Sequence, residues 1–258
     1  RIERVHHQQA HLAAAFYGSG FEDALCVSLD ASGDGACGMS ATASRLGGIK
    51  IANGIPTKNS LGYFYTLMTY YCGFADGDEY KLMGLAPYGK PNIDLTRIIR
   101  PAPGGWEFDW SYVRDDPMPN SPFEPLYSKR VEQLLGRPNR HPSEPLGDFY
   151  RDVAASTQHL MEKCLLSLVD GLKKKYPDSR NLCYAGGVAL NCSANRMLLD
   201  PMRFDNVYVS PVASDRGLAL GCAYHGAVLL GDSTWPIWDV YLGSLYPAAE
   251  TEKELKAN

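Results

Sequence analysis

ALCVSLDASGDGACGMSATASRLGGIKIAN, residues 24–53, contains three short β-rich runs at 24–30, 36–44 and 48–53. Ser32-Gly-Asp-Gly35 separates the first two, and Gly47-Gly48 separates the second and third. These turn formers leave no room for a crossover helix, so the runs read as an antiparallel meander. C-terminal to it the pattern alternates, with strands at 181–186 and 206–211 and helices at 190–200 and 214–230. A parallel crossover needs a covering helix, so the expected product is one mixed α/β sheet with helices on both faces.

The flanking segments supply those helices. Residues 2–17 place Ala10, Ala13, Ala14 and Tyr17 on one side of a helix that Gly18-Ser-Gly20 stops. Ser60 is a plausible N-cap for an apolar, aromatic helix over 60–74. A long amphipathic helix is expected at about 146–175, ended by Lys173-Lys-Lys-Tyr-Pro177. Between these two helices, residues 91–145 hold ten of the seventeen prolines, so regular elements there must be short and the segment reads as an insertion. No internal repeat is visible. The order matches one ribonuclease-H-like unit of the actin, sugar-kinase and heat-shock ATPase superfold.

With 258 residues and 45% hydrophobic content, the chain can bury a substantial core as one large domain or two small ones. Its 25 Lys+Arg against 29 Asp+Glu provide no basic field to attract a phosphate backbone, which argues against nucleic acid. No apolar run reaches the roughly 18 residues of a membrane span. Seven scattered cysteines without a Cys-x-x-Cys pair favour buried thiols in a reducing cytoplasm over a disulfide framework. The first residue is Arg, which suggests a piece of a longer chain.

Four groups of residues could carry chemistry. His7 and His11 lie one helical turn apart and could share an ion, although two surface histidines would show the same spacing. Asp30 closes the first strand and Asp215 opens the last helix; each could complete a metal shell or serve as an ordinary turn or helix-start residue. Two imidazoles and two carboxylates suit Fe, Mn or Zn alike. The Ser32–Gly35 hairpin and the Gly186-Gly187-Val188 turn with Asn191 could present backbone amides to a phosphate, or be plain tight turns. Lys81 sits in the otherwise apolar segment Glu79–Gly89, where a buried ammonium needs a ligand phosphate or a structural carboxylate such as Glu79.

Taken together, VHHQQAHLAAAFYGSGF, SLDASGDG, DEYKLMGLAPYG, CYAGGVALNCSANR and VSPVASDRGLALGCAY resemble the O-carbamoyltransferases of the nodulation and antibiotic-tailoring type. These are relatives of the hydrogenase-maturation carbamoyltransferase and of the tRNA threonylcarbamoyladenosine enzyme. The resemblance covers about residues 1–245 and implies an actin-like fold, of which this chain holds the second half over 1–240 with the insertion at 91–145. Residues 241–258 would then begin a linker to an adenylate-forming domain. It implies transfer of a carbamoyl group from carbamoyl adenylate, made from carbamoyl phosphate and ATP, to a small hydroxylated acceptor such as a sugar or natural product.

The matching positions for iron, Fe2+ or another divalent metal are His7, His11, Asp30 and Asp215. Those for the adenylate are Ser32, Gly33, Asp34, Gly35, Lys81, Gly186, Gly187, Val188 and Asn191. Mg2+ is a further candidate ion, and a homodimer and a cytoplasmic location are further expectations. The family's active-site His-Asp pair has no counterpart in this chain, so no catalytic residue is assigned. Three other readings compete: threonylcarbamoyl transfer to tRNA, a sugar kinase or ATPase using magnesium, and an inactive metal-binding fragment of the family.

Overall fold

The computed structural model describes residues 2–115, 126–244 and 246–257. Helix α1 (His7–Ser19) leads into strands β1 (Asp23–Gly33), β2 (Ala36–Ser44) and β3 (Gly48–Pro56). Helices α2 (Leu61–Tyr71) and α3 (Glu79–Leu85) follow, then the hairpin β4 (Ile99–Ala102) and β5 (Gly105–Phe108), and helix α4 (Arg130–Leu135). The long α5 (Asp148–Lys175), β6 (Asn181–Ala185), α6 (Cys192–Arg196), β7 (Asn206–Val209), α7 (Leu218–Leu230) and α8 (Ala248–Ala257) complete the described chain.

The main sheet has the order β3-β2-β1-β6-β7. β2 runs antiparallel to both neighbours, while β6 pairs in parallel with β1 and with β7. This is the arrangement expected from a meander followed by β-α-β-α units. The turn between β1 and β2 is Asp34-Gly35, with φ of 52° and 80°, the two positive angles a type I′ hairpin requires.

Alternation along the strands distributes the core between two faces. Leu25, Val27 and Leu29 of β1, with Leu182 and Tyr184 of β6, pack with the apolar sides of α2 and α5. Ala24 and Cys26, with Cys183 and Ala185, face α1. The small residues on that second face let α1 lie close, and it also packs against α7, where a Cβ on Gly221 would come within 1.9 Å of the Ala10 carbonyl oxygen.

Two segments differ from the sequence expectation. The helix expected at 190–200 is only a 3-10 turn, Gly187–Leu190, followed by the five-residue α6. Asn191 caps α6 by accepting from the Ala194 amide (2.9 Å), and its non-helical backbone (φ -77°, ψ 89°) separates the two turns. The proline-rich segment does form short elements, but it is no loose appendage. Ile98, Ile99, Trp106, Tyr112 and Val131 join the core cluster that contains α5. Its remaining stretch, 116–125, lies outside the described residues.

Arg140 ties this segment to the frame. The guanidinium is 5% exposed and donates to the carbonyls of Cys72 and Gly73 at the end of α2, and to those of His141, Pro142 and Glu144. Five of the seven cysteines are buried free thiols; burial pushes Cys37, Cys72 and Cys164 up to about 12, so they are inert at neutral pH. No helix among the described residues is long and apolar enough to cross a membrane.

Removing the Arg140 side chain leaves several buried carbonyls without a donor. Arg140→Ala is expected to lower stability by roughly 2 kcal/mol or more, read as a fall in the urea midpoint, whereas Arg97→Ala on the surface should change it by no more than about 0.5 kcal/mol.

Candidate metal and ligand site

Four side chains expected to share an ion do converge. His7 and His11 extend from one face of α1, Asp30 from β1, and Asp215 from the turn ahead of α7. One ligand atom from each lies within 4.8 Å of all the others. His7 Nε2 is 3.0 Å from Asp30 Oδ2 and 3.4 Å from Asp215 Oδ1. His11 Nε2 is 3.3 Å from each of the same oxygens and 3.2 Å from His7 Nε2.

Atoms bonded to one cation at about 2.0–2.2 Å sit roughly 3.0–3.6 Å from one another, so these spacings suit a shared divalent ion. The charges point the same way. Burial alone would raise the Asp30 carboxyl, yet hydrogen bonds from His11, His7 and the Ala31 amide outweigh it and hold the group well below the usual carboxylate range. Burial raises the Asp215 carboxyl, and the adjacent Asp30 charge raises it further, with His7 and His11 only partly offsetting the effect. Two crowded carboxylates facing two imidazole nitrogens offer more acceptors than protons, a deficit that a cation fills.

Local structure explains how each ligand is placed. The β1–β2 register shifts between Leu29 and Gly33, and this bulge takes Asp30 out of the regular ladder. Ser60, the cap of α2, accepts from the Tyr63 amide (3.0 Å) and donates to the Ala31 carbonyl (2.7 Å), anchoring the bulge. His11 is fully buried, and its Nδ1 has no hydrogen-bond partner among the described residues, so the ring is oriented by packing and by its Nε2 contacts with Asp30 and His7. The His7 ring lies against Gly33, where a Cβ would fall 2.2 Å from its Cγ.

Asp30 and Gly187 also border a cleft of about 290 Å³, walled by Gly62, Tyr65, Thr66, Glu79, Tyr80, Met83, Met161, Val188, Leu190 and Asn191. It opens beyond the carboxyl ends of the parallel strands β1 and β6, the usual place for a ligand in such sheets. Thr66 Oγ1 donates to Glu79 Oε1 (2.6 Å) at its polar side.

Of the positions expected to meet a nucleotide, Gly187, Val188 and Asn191 line this cleft. The Asn191 amide is engaged in a reciprocal pair with Gln158 (2.9 and 3.0 Å). Gly186, at φ 91°, passes so close to Leu29 that a Cβ would lie 2.1 Å from its carbonyl oxygen. Ser32 Oγ meets Thr57 Oγ1 (3.2 Å), and Asp34 caps α1.

Lys81 corrects an expectation. It is not buried: its side chain is 44% exposed and pairs with Asp78 at 2.9 Å, because Leu82 and Leu85 are the residues α3 turns inward. Tyr65, Thr66 and Met161 were not singled out from the sequence, since their spacing on α2 and α5 is that of ordinary core residues.

A family model described as carbamoyltransferase N-terminus matches residues 2–224. The uncharacterized protein sll1178 of Synechocystis sp. is 36% identical over 222 residues, covering 84% of this chain and 35% of its own length. Nodulation protein NolO of Bradyrhizobium diazoefficiens is 35% identical over 260 residues, covering 98% of this chain and 44% of its own. The crystal structure of T. kodakarensis HypF aligns with a TM-score of 0.45 at 14% identity, over 90% of this chain and 37% of that one. The chain thus spans less than half the length of these relatives.

Gly33→Ala would place a methyl group inside the His7 ring and drive that ring out of the cluster. The expected result is at least a tenfold loss of divalent-cation affinity by titration calorimetry, with circular dichroism unchanged.

Proposed function

Since this chain belongs to the carbamoyltransferase N-terminus family, we propose that it forms the transfer site of an O-carbamoyltransferase, in which carbamoyl adenylate made from carbamoyl phosphate and ATP reacts with a hydroxyl of a small acceptor. The supporting observation is the adjacency of two features. A four-ligand cluster suited to a divalent cation shares Asp30 with the rim of a cleft of small-molecule size.

In this reading His7, His11, Asp30 and Asp215 hold the cation, Fe2+ being the leading candidate. When bound, it supplies Lewis acidity toward the carbamoyl oxygen or the phosphate. The Gly186-Gly187-Val188 turn, kept in place by Asn191 and Gln158, receives the adenylate in the cleft, and the Ser32–Gly35 hairpin borders the cluster from the other side. Lys81, next to cleft-lining Tyr80, adds positive charge outside the wall once it exchanges Asp78 for a phosphate. The acceptor oxygen attacks the carbamoyl carbon and loses its proton. The bond from that carbon to the phosphate oxygen breaks, AMP leaves with the electron pair, and a carbamate ester remains.

The chain is proposed to act as part of a longer protein, with residues 241–258 leading toward an adenylate-forming domain and with a reducing, cytoplasmic location suited to its free thiols. The test uses the full-length protein supplied with carbamoyl phosphate and ATP. The wild type is expected to release AMP on carbamoylating its acceptor. The His7→Ala, His11→Ala double variant should stay folded by circular dichroism, with a lowered melting midpoint, lose its stoichiometric metal and lose at least about 10²-fold in transfer. A double variant that keeps its metal would refute the ligand assignment. Magnesium without iron in elemental analysis of the purified wild type would favour a kinase or ATPase instead.

A further inference from the structure

We infer that Asp34 is a positioning residue for His7, holding the first residue of α1 so that its imidazole stays in the four-ligand cluster. The inference rests on the cluster being a cation site and gives the hairpin a role apart from phosphate contact. His7 opens α1, in the turn where amides have no partner within the helix and where helices fray. A ligand placed there needs an external restraint that His11, fully buried one turn later, does not.

Two restraints act on this turn. His6 Nδ1 accepts from the Gln8 amide (3.1 Å), a local cap within the same segment. The His7 amide itself donates to Asp34 Oδ2 (2.8 Å), an acceptor 27 residues away on the β1–β2 hairpin. Asp34 sits at φ 52°, a left-handed conformation that Asp and Asn tolerate far better than branched residues, and that conformation is part of the hairpin turn itself. The negative carboxylate at the helix N-terminus is further favoured by the helix dipole. One residue earlier, Gly33 leaves the space the His7 ring fills. The hairpin therefore fixes both the main chain and the ring of His7, while the same strand provides Asp30.

The test compares Asp34→Gly, which keeps the backbone angle and removes the acceptor, with Asp34→Asn, which keeps an acceptor oxygen and removes the charge. Full-length, metal-stripped protein is titrated with Co2+ and followed by its visible absorption. Hydrogen exchange of peptides spanning residues 5–12 is measured separately without metal. Asp34→Gly should bind Co2+ at least about tenfold more weakly and exchange faster over this segment, with an unchanged melting midpoint. Asp34→Asn should stay within about threefold of wild type in both readouts. Wild-type affinity and exchange in Asp34→Gly would overturn the inference, and so would equal losses in the two variants, which would indicate charge and not a hydrogen bond. If the wild type takes up no Co2+, the cation reading fails, and the exchange measurement alone decides whether Asp34 restrains His7.

Discussion

The carboxylate of Asp30 is at once a buried charge and the junction of the molecule's principal elements. It lies where β1 leaves its ladder, within 3.3 Å of both imidazoles of α1, and beside a backbone held by the cap of α2. Taking such a group from water is costly unless donors or a cation compensate. The remaining placements follow from that need. α1 must lie close enough to bring two rings over the strand, which the small residues facing it permit, and α7 must start where Asp215 can reach the same point.

Placing the site at the carboxyl ends of the interior strands β1 and β6 also decides what can be bound there. Asp30 of the cluster borders a cleft whose walls are built by α2, α3, α5 and the turn after β6, so a ligand in the cleft touches groups from widely separated parts of the sequence. The family match covers most of this chain, while the relatives it matches are more than twice as long as the part it aligns with.

Much of this was legible in the residues because the relevant patterns are local. The meander shows as turn formers at short intervals, the long helix α5 as a 3.6-residue period, and the histidine pair as a spacing of four. Convergence of that pair with Asp30 and Asp215 was suggested only by the joint resemblance of several motifs, since no period links a helix to a strand about twenty residues on or to a turn about two hundred positions away. The environment of Lys81 was misread because an apolar neighbourhood in sequence is not one in space: α3 buries Leu82 and Leu85 and turns the lysine outward. The short α6 was hidden for a related reason, because Asn191 reads equally well as a helix residue and as a cap. The bulge at Asp30 leaves no sequence signal, being a property of how two strands pair.

The buried guanidinium of Arg140 is met by main-chain oxygens and by no carboxylate among the described residues, a choice with a bearing on which neighbouring side chains can change. Carbonyls are present whatever side chains surround them, so the residues of 137–147 other than Arg140 can change while the segment stays seated on the end of α2. One arginine thus seats the proline-rich surface, and the acceptors it uses all come from the main chain.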